Sequence, residues 1–494
     1  MDYLDTGKQF RHRIILLVGY VCLAVAIATG ALILLYQAYG FGIGKNGTVT
    51  QSGLTFFSSQ PNPANIYVNN TLKATTNTRL VLTSGIYRIT LNRSGYRSWQ
   101  RTIELDGGSV EHFDYPVLFP KTLVSKKIQA YTGAPGLVTQ SPDRRWLLVE
   151  VPGSMTSFDL FDLKNPTKAP TDITLPANLL TKATSSESWQ LEEWADDNQH
   201  IVLQHNYDGK SEFILINRAD PAQSVNLNTT LSTTPTKLTL VDKKYNHYYL
   251  YNATTDDLQT ASLQSPTPVL AQQHILAYQS YGSDTLLYAT DSGAPSGKVL
   301  VKMQIGSQTY AIHTFPAATT YLLDLTKYSG TLYVAAGASS ENKVYIYEDP
   351  VSQLAAAPGH ALVPSQVLHV TAPNYLSFSD NAQFIVAENG TQFGVYDIEN
   401  TKGYNYTASQ PLDAPQVHAT WMDGDRLTYV SGGKLVVFDY DGTNQQVLMA
   451  AAGSYVPAFA PDYKYVYDVA PDTTATPAGQ TELAQTALLT PPDL

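Results

Sequence analysis

The sequence has little cysteine and little charge, and each shortage excludes a class of protein. Cys22 is the one cysteine among 494 residues, so the chain has no intramolecular disulfide and no CxxC metal or redox site. Charged residues make up 15% of the chain, against about 25% in an average globular domain. Acidic residues outnumber basic ones by 42 to 31, which argues against a nucleic-acid-binding protein.

Long apolar runs are confined to one segment near the N-terminus. Residues 14–36 contain no charged side chain, and 23 residues are enough for a helix to cross about 30 Å of hydrocarbon. The basic residues before this segment are Lys8, Arg11 and Arg13. Only Lys45 follows shortly after it. Because basic residues stay on the cytoplasmic side, the sequence predicts a cytoplasmic tail at 1–13 and a single-pass transmembrane helix at 14–36, with the chain extracytoplasmic from about residue 37.

A cleaved signal peptide is the competing interpretation. Small residues at 24–26 and 26–28 offer cleavage patterns, but the apolar run continues through 32–35, beyond the core of a signal peptide. We therefore favour an uncleaved anchor. The exported part then lacks cysteine, which suits an oxidising space and favours a bacterial cell surface. After Lys45 the chain carries 27 basic and 40 acidic residues.

A small β-domain is predicted next to the membrane. Residues 37–50 are a glycine-rich, polar linker. Residues 51–120 contain five short alternating segments separated by turn residues, and this layout predicts a small β-sandwich. The predicted strands are 54–57, 64–68, 79–82, 87–91 and 99–105.

The same residues resemble a known family. Pro61 and Ala64 stand at the ends of a Pro-Glu-Gly-Ala-like tetrad, and 66–70 follows with a strand and its turn. The spacing of Gly85, Gly95 and their neighbours continues the match. Residues 51–120 therefore resemble the PEGA domain of bacterial and archaeal surface proteins. The resemblance implies a carbohydrate- or surface-associated module without catalytic residues.

Residues 121–494 repeat one β-unit. Each copy has a strand that ends in an Asp- or Asn-containing turn and is followed by an apolar strand. Clear copies have this turn at Asp143, Asp197, Asp380, Asp423 and Asp462, and weaker ones fall near Asp242, Asp284 and Ser329. Spacings of roughly 40–55 residues are typical of β-propeller blades with four strands. The chain is thus predicted to be mainly β, with eight blades favoured and seven as the alternative.

The ring is predicted to close through its N-terminal strand. The last repeat stops after its third strand, near 481–489, and residues 121–131 are available to supply the fourth. Such closure removes an exposed sheet edge. The repeated turn resembles TolB-like and WD40-like propellers, a similarity of architecture that carries no activity.

One aspartate-rich loop could be read as a calcium site. Asp439, Asp441, Gly442 and Asn444 have part of the required spacing. The loop lacks the final acidic residue and the flanking helices of an EF-hand. We interpret it as a hairpin turn, in which Asp and Asn bond their own backbone.

Other candidate residues do not form a recognisable site. His200 and His205 are five apart on one strand, so they face opposite sides of the sheet and cannot share a metal there. The densest acidic cluster, Glu192–Glu193 with Asp196–Asp197, is interpreted as a solvated loop. No G-x-S-x-G elbow leads into a helix. The sequence therefore assigns no catalytic, cofactor-binding or metal-binding residue, although a metal site built from distant blades stays open.

The preferred hypothesis is a membrane-anchored extracytoplasmic binding or scaffold protein. Its propeller would present a face to a protein or an envelope glycan. The alternative is a cell-envelope enzyme, such as a glycosidase, lyase or cyclase, that uses the propeller funnel. Convergence of three or more carboxylates or histidines at one mouth would favour the enzyme, whereas an apolar and hydroxyl-rich funnel would favour binding.

Overall fold

The computed structural model describes residues 6–38, 40–43, 49–413, 418–473 and 479–494. The chain forms two compact units, Met1–Thr122 with Leu489–Asp493, and Leu123–Leu488 with Leu494. The propeller was expected to extend to residue 494, but the contacts of 489–493 are with the first unit.

The first unit begins with a long apolar helix, α1 (Thr6–Ala38). Its segment Phe10–Tyr36 has a mean hydropathy of 2.5 and no part of it is buried within the protein. The helix is long and apolar enough to cross a membrane and includes the predicted span at 14–36. Cys22 is exposed on its surface.

Eight strands follow the helix in the first unit. They are β1 (Phe41–Ile43), β2 (Val49–Phe57), β3 (Asn65–Val68), β4 (Thr71–Thr75), β5 (Thr78–Thr83), β6 (Gly85–Asn92), β7 (Trp99–Leu105) and β8 (Val110–Phe113). One sheet has the order β1-β2-β5 with β8 beside β2, and the other has the order β4-β3-β6-β7. Side chains from both sheets, including Phe57, Ile66 and Trp99, form a single buried core. All five predicted strands are present.

The predicted linker at 37–50 is not entirely irregular. β1 pairs antiparallel with β2, with Phe41 opposite Gln51. A ladder is made by backbone groups, so a glycine-rich segment without alternating side chains can still join a sheet. Residues 44–48, inside that linker, lie outside the described residues.

Within the described residues, the second unit contains eight four-stranded sheets. Its first strand is β9 (Ser125–Tyr131). Blade 1 contains β10 (Val138–Gln140), β11 (Trp146–Glu150), β12 (Ser157–Asp162) and β13 (Thr171–Thr174). Blade 2 contains β14 (Glu187–Trp194), β15 (His200–Tyr207), β16 (Lys210–Asn217) and β17 (Val225–Asn226). Blade 3 contains β18 (Lys237–Leu240), β19 (His247–Asn252), β20 (Asp257–Ser262) and β21 (Val269–Gln272).

The other five sheets repeat this order. Blade 4 contains β22 (Ile275–Tyr281), β23 (Thr285–Thr290), β24 (Lys298–Ile305) and β25 (Gln308–Pro316). Blade 5 contains β26 (Tyr321–Tyr328), β27 (Thr331–Ala338), β28 (Val344–Glu348) and β29 (Gln366–Leu368). Blade 6 contains β30 (Tyr375–Phe378), β31 (Phe384–Asn389), β32 (Gln392–Asp397) and β33 (Lys402–Thr407). Blade 7 contains β34 (Thr420–Trp421), β35 (Arg426–Ser431), β36 (Lys434–Asp439) and β37 (Gln446–Ala450). Blade 8 contains β38 (Ala458–Phe459), β39 (Tyr465–Pro471), β40 (Thr481–Ala487) and β9.

Short helices lie between some of these strands. They are α2 (Leu227–Thr230), α3 (Pro350–Ala356) and the 3₁₀ turns Pro221–Gln223 and Val241–Lys243. A further 3₁₀ turn, Pro491–Asp493, lies in the C-terminal segment that belongs to the first unit.

The eighth blade closes the ring as predicted. β9 pairs antiparallel with β40, with Tyr131 opposite Thr481 and Ser125 opposite Thr486. The first strand of each blade is the inner one, because β26 packs against β22 and β30, the first strands of the neighbouring blades. The fold is therefore an eight-bladed β-propeller whose central channel is lined by first strands.

The repeated turn has a structural cause. In the turn after each of three inner strands, an aspartate Oδ1 accepts backbone N–H groups that begin the second strand. These bonds run to Asp143 from Arg145 (3.1 Å), to Asp197 from His200 (2.9 Å) and to Asp423 from Arg426 (2.9 Å). The aspartates cap tight turns, which explains why the sequence signal recurs in these blades.

Candidate binding site at the mouth of the propeller channel

One mouth of the channel holds a pocket of about 370 Å³. The inner strands of blades 3 to 6 begin there, so four consecutive blades contribute to it. The lining residues are Lys237, Tyr251, Leu276, Ala277, Tyr278, Gln279, Thr319, Thr320, Tyr321, Leu322, Leu323, Asn374, Tyr375 and Leu376. The described lining thus contains four tyrosines, one lysine, and no carboxylate or histidine.

The hydroxyl groups of three of these tyrosines already have partners. Tyr251 donates to the carbonyl of Ile275 (2.8 Å), and Tyr278 shares a hydrogen bond of 2.8 Å with Thr239 Oγ1. The amide of Ala318 donates to the Tyr321 hydroxyl at 2.8 Å. The rings are therefore fixed in place, and what they offer the pocket is ring surface.

Lys237 is the charged group of the described lining. Its ammonium lies 5.0 Å from the centre of the Tyr278 ring, within the range of a cation–π contact. The residue is exposed, because it is the first residue of its short inner strand. A soluble anion at the mouth can therefore reach the lysine.

β-Bulges shape two of the inner strands. The pairing of β14 with β15 shifts between Leu191 and Glu193. The pairing of β22 with β23 shifts between Ile275 and Ala277, at the lining residue Leu276. A bulge turns an extra side chain out of the regular alternation and is frequent beside functional sites.

Two acidic groups on inner strands have perturbed pKa values. Burial raises the pKa of Glu192 to about 7, opposed by the nearby charge of Lys237. Burial likewise raises the pKa of Asp324 to about 6, although it accepts hydrogen bonds from the amides of Leu325 and Phe378. Both carboxyl groups thus hold protons at a higher pH than ordinary acids.

Hydrogen bonds between neighbouring inner strands fix the channel wall. They join six of the eight blade-to-blade seams within the described residues. The bonds are Gln140 Nε2 to Phe459 O (2.7 Å), Trp194 Nε1 to Thr139 Oγ1 (2.9 Å), Leu240 N to Glu193 Oε2 (2.7 Å), Thr239 Oγ1 with Tyr278 OH (2.8 Å), Phe378 N to Asp324 Oδ2 (3.2 Å) and Trp421 Nε1 to Ser377 Oγ (3.1 Å). Such cross-links keep the mouth in one shape before any ligand arrives.

The opposite end of the channel, where the inner strands finish, is charged. Arg144 in the turn of blade 1 pairs with Asp380 in the turn of blade 6. Its guanidinium also lies 5.2 Å from the ring centre of Tyr463, in the turn of blade 8. Because blades 1 and 6 are not neighbours, this ion pair spans the channel, and the two ends differ in chemistry.

A buried glutamate and a histidine lie beside the mouth. The His418 ring stacks on Tyr375 with 4.3 Å between ring centres. Its Nδ1 is 3.5 Å from Oε1 of Glu388, a fully buried residue on β31. The other oxygen of Glu388 accepts the amide of Ala419 at 2.9 Å. This pair combines a base with a carboxylate.

The aspartate-rich loop is a turn, as the sequence indicates. It connects β36 to β37, with Asn444 Nδ2 donating to Asp439 Oδ2 at 2.8 Å. Asp441 Oδ1 accepts the amide of Thr443 (3.1 Å), and Gly442 has a φ of +80°. The same bond recurs at 2.8 Å between Asn165 and Asp162, so it is a feature of the blades.

The two strand histidines make separate contacts. His205 is fully buried, with its ring centre 5.1 Å from that of Trp189, and its Nδ1 is 2.9 Å from Oε1 of Glu212. His200 stacks on Tyr245 at 3.8 Å. In the part of the chain that the structure describes, no group of three or more His, Cys, Asp or Glu side chains is arranged to hold a metal ion.

The interpretation of the acidic cluster as one solvated loop is wrong. Glu192 and Glu193 belong to the inner strand β14, and Glu193 is paired with Lys243 and the Leu240 amide. Only Asp196 and Asp197 lie in the turn. The strand continues through this point by a β-bulge at Glu192, with Glu193 paired to Val202 and Trp194 to Ile201 of β15.

Sequence reasoning did not find the tyrosines of the mouth. They lie in strands of four different blades, blades 3 to 6, and no local motif joins them. The one available signal was composition, since Tyr, at 33 residues, is more than twice as frequent as Phe.

The chain was compared with curated proteins and with solved structures. No curated protein matches the chain. Among solved structures, the Dos1 propeller is 13% identical with a TM-score of 0.46, over 74% of this chain and 94% of that chain. Oligogalacturonate lyase of Vibrio parahaemolyticus is 10% identical with a TM-score of 0.37, over 75% and 98%. Hsv2 of Kluyveromyces lactis is 10% identical with a TM-score of 0.37, over 72% and 99%. These distant similarities carry no statement about function.

A family match identifies the sandwich. The family described as the PEGA domain matches residues 53–117, which include the strands from Asn65 to Phe113 and most of β2. The predicted resemblance at 51–120 is thereby confirmed. The β-sandwich of the first unit is a PEGA domain.

Proposed function

We propose that this chain is a single-pass membrane protein whose propeller binds a ligand on the outer side of the membrane. The ligand, a protein segment or an envelope glycan, would bind at the tyrosine-lined mouth of the channel. Two features support the location: the unburied apolar helix α1, and the basic residues that precede its apolar segment.

The composition of the mouth is the observation that carries the binding proposal. Small-ligand sites are concave, largely apolar and aromatic, and contain a few polar groups that fix orientation. The pocket of about 370 Å³ has this composition. Acid–base catalysis instead needs titratable groups within reach of the substrate, and the described lining offers one lysine.

An envelope enzyme is the second candidate, and the Glu388–His418 pair favours it. The His418 ring stacks on Tyr375, a lining residue, so a substrate in the mouth would lie near an imidazole backed by a carboxylate. Glu388→Gln separates the candidates. A binding protein keeps its ligand unchanged with or without the substitution, whereas an enzyme forms product and loses turnover in the variant.

The topology can be tested with single cysteines. In a Cys22→Ser background, Ser307→Cys places a thiol on the exposed turn between β24 and β25. A membrane-impermeant maleimide should label it in intact cells. Thr6→Cys, before the apolar segment, should react only after the cells are opened. Labelling in the reverse pattern would contradict the proposed orientation.

The binding site can be tested by blocking it. Thr320 is an exposed lining residue, so Thr320→Trp should fill the mouth without disturbing a buried side chain. The full chain in lipid nanodiscs is titrated with panels of oligosaccharides and peptides. A ligand that binds the mouth should lose at least tenfold in affinity with Thr320→Trp and keep it with Ser307→Trp. Equal affinities in both variants would locate binding elsewhere.

A further inference from the structure

We infer that the mouth of the channel recognises an acidic sugar, with the sugar ring against the tyrosines and its acidic group at Lys237. This inference rests on the proposed function and adds the chemical class of the ligand. Three observations carry it: a lysine without a described ion pair, anchored aromatic rings, and a rim of amide and hydroxyl groups.

Lys237 is a basic residue in a region of the chain that is acidic overall. The region after Lys45 holds 27 basic against 40 acidic residues, so a pocket whose charged lining residue is a lysine departs from the average surface. Lys237 makes no ion pair with a described carboxylate. Its ammonium lies over Tyr278 and is exposed. Its N–H groups can therefore donate to an anion in the mouth.

The neighbouring acids leave that charge largely available. Glu193 is already paired with Lys243 and the Leu240 amide. Glu192 is the neighbouring acid on this strand, and burial raises its pKa to about 7, so near neutral pH it is partly protonated. An arriving anion therefore meets a lysine that is not fully neutralised.

The tyrosines suit a sugar ring. The hydroxyls of Tyr251, Tyr278 and Tyr321 are engaged with the protein, so the rings cannot rotate freely and offer their faces or edges. Axial C–H groups of a pyranose pack on such faces through dispersion and the hydrophobic effect. Fixed rings lose little conformational freedom on binding.

The rim supplies groups that match sugar hydroxyls. Gln279, Thr319, Thr320 and Asn374 line the pocket. Amides and hydroxyls both donate and accept hydrogen bonds, as sugar hydroxyls do. An acidic peptide would use Lys237 but would leave much of this neutral polar rim unmatched, so the sugar is the better fit.

Matched sugars provide the test. Cellotetraose and maltotetraose differ from their C6-oxidised uronate forms only by a carboxylate on each ring. Isothermal titration of the full chain in nanodiscs should give at least tenfold tighter binding of a uronate form than of its neutral partner. Lys237→Gln should abolish this preference, and raising the salt from 0.15 to 0.5 M should weaken it. Lys210→Gln, at an exposed hairpin of blade 2, should leave it unchanged.

Each other result has a defined meaning. Equal binding of neutral and acidic sugars, or a preference that survives Lys237→Gln, overturns the acidic-sugar inference but leaves the mouth as a binding site. A different result would be that hexaglutamate binds, that none of the sugars binds, and that Thr320→Trp removes the binding of hexaglutamate. In that case the ligand is an acidic peptide and the inference is wrong. If Thr320→Trp weakens neither class, the proposed function fails with it.

Discussion

The phenol of Tyr131 donates a hydrogen bond of 2.9 Å to Oδ2 of Asp159. Tyr131 ends β9, the strand that completes blade 8, and Asp159 lies on β12 of blade 1. Both residues are buried. Burial raises the pKa of Asp159, and the hydrogen bond from Tyr131 opposes that rise. The bond therefore joins blade 8, in which the ring closes, to its neighbour blade 1.

Removing this bond should weaken the ring. Tyr131→Phe leaves a buried carboxyl group without its donor, which costs about 1–2 kcal/mol. The loss should grow as the pH rises, because a carboxylate accepts the hydrogen bond more strongly than a carboxylic acid does. Urea unfolding measures it, with Tyr310→Phe as the control at a half-buried tyrosine. The same loss in both variants would show that the Asp159 contact is not responsible.

The C-terminal turn should stabilise the PEGA domain. Arg93 Nη2 lies 2.5 Å from Asp493 Oδ1, and the Tyr96 hydroxyl donates to Oδ2 at 2.7 Å. The hydrogen bond from Tyr96, with others from Thr490 and Arg93, lowers the pKa of Asp493. We expect Asp493→Asn to speed hydrogen exchange in β6 and β7 by about tenfold at pH 7.

The pH dependence of that effect follows from the lowered pKa. A carboxylate with a depressed pKa in the folded state stabilises the fold above its pKa and loses this contribution as the pH falls through it. The difference between wild type and Asp493→Asn should therefore shrink in acid. Asp220→Asn, at an exposed aspartate of the second unit, is the control. Unchanged exchange in β6 and β7 would contradict the role of the turn.

A buried glutamate in blade 1 should make the protein less stable at high pH. Glu150 is 6% exposed, and burial raises its pKa to about 7 despite hydrogen bonds from the amides of Gly136 and Leu137. The folded state then binds a proton that the unfolded state has released between pH 4.5 and 7, so stability falls as the pH rises through that window.

Glu150→Gln tests this expectation. The variant should gain up to about 3 kcal/mol at pH 8 relative to wild type, and little at pH 5. The unfolding free energy of the variant should fall less steeply with rising pH, because one fewer proton is released on unfolding. Chemical denaturation at several pH values measures both, with the exposed Glu104→Gln as the control. A gain of the same size at both pH values would mean that ionisation is not the cause.

The ring was predictable from sequence because its signals are local. An aspartate that caps a turn, such as Asp143, must sit two or three residues before its amide partners, so the motif stays intact in the sequence. The strand count of the last repeat then indicated a missing fourth strand, and β9 supplies it. The return of Asp493 to Arg93 was not predictable, because a contact across 400 positions leaves no spacing to read.

The mouth was not predictable for a related reason. Lys237, Tyr278, Tyr321 and Tyr375 meet because each lies within the inner strand of a different blade. Only the closed ring brings those strands together. The bulge that places Glu192 on the channel side also has no sequence signature, since it depends on pairing with β15.

Binding of an acidic sugar should strengthen as the pH falls from 8 to 6. Glu192 faces Lys237, Glu193 and Tyr278, and its ionised form repels an anion at Lys237. Protonation near pH 7 removes that repulsion, so we expect affinity for the uronate tetrasaccharide to rise about threefold to tenfold. Glu192→Gln should bind with the higher affinity at both pH values. A wild-type affinity independent of pH would contradict the role of Glu192.

Hydrogen exchange of the full chain, with and without C6-oxidised cellotetraose, tests the central claim most directly. The account predicts slower exchange where β22 and β26 begin, around Ala277 and Tyr321, and no change in the turn at Asp143 at the other end of the channel. Protection confined to that turn or to the PEGA domain, or no protection at saturating sugar, would contradict it.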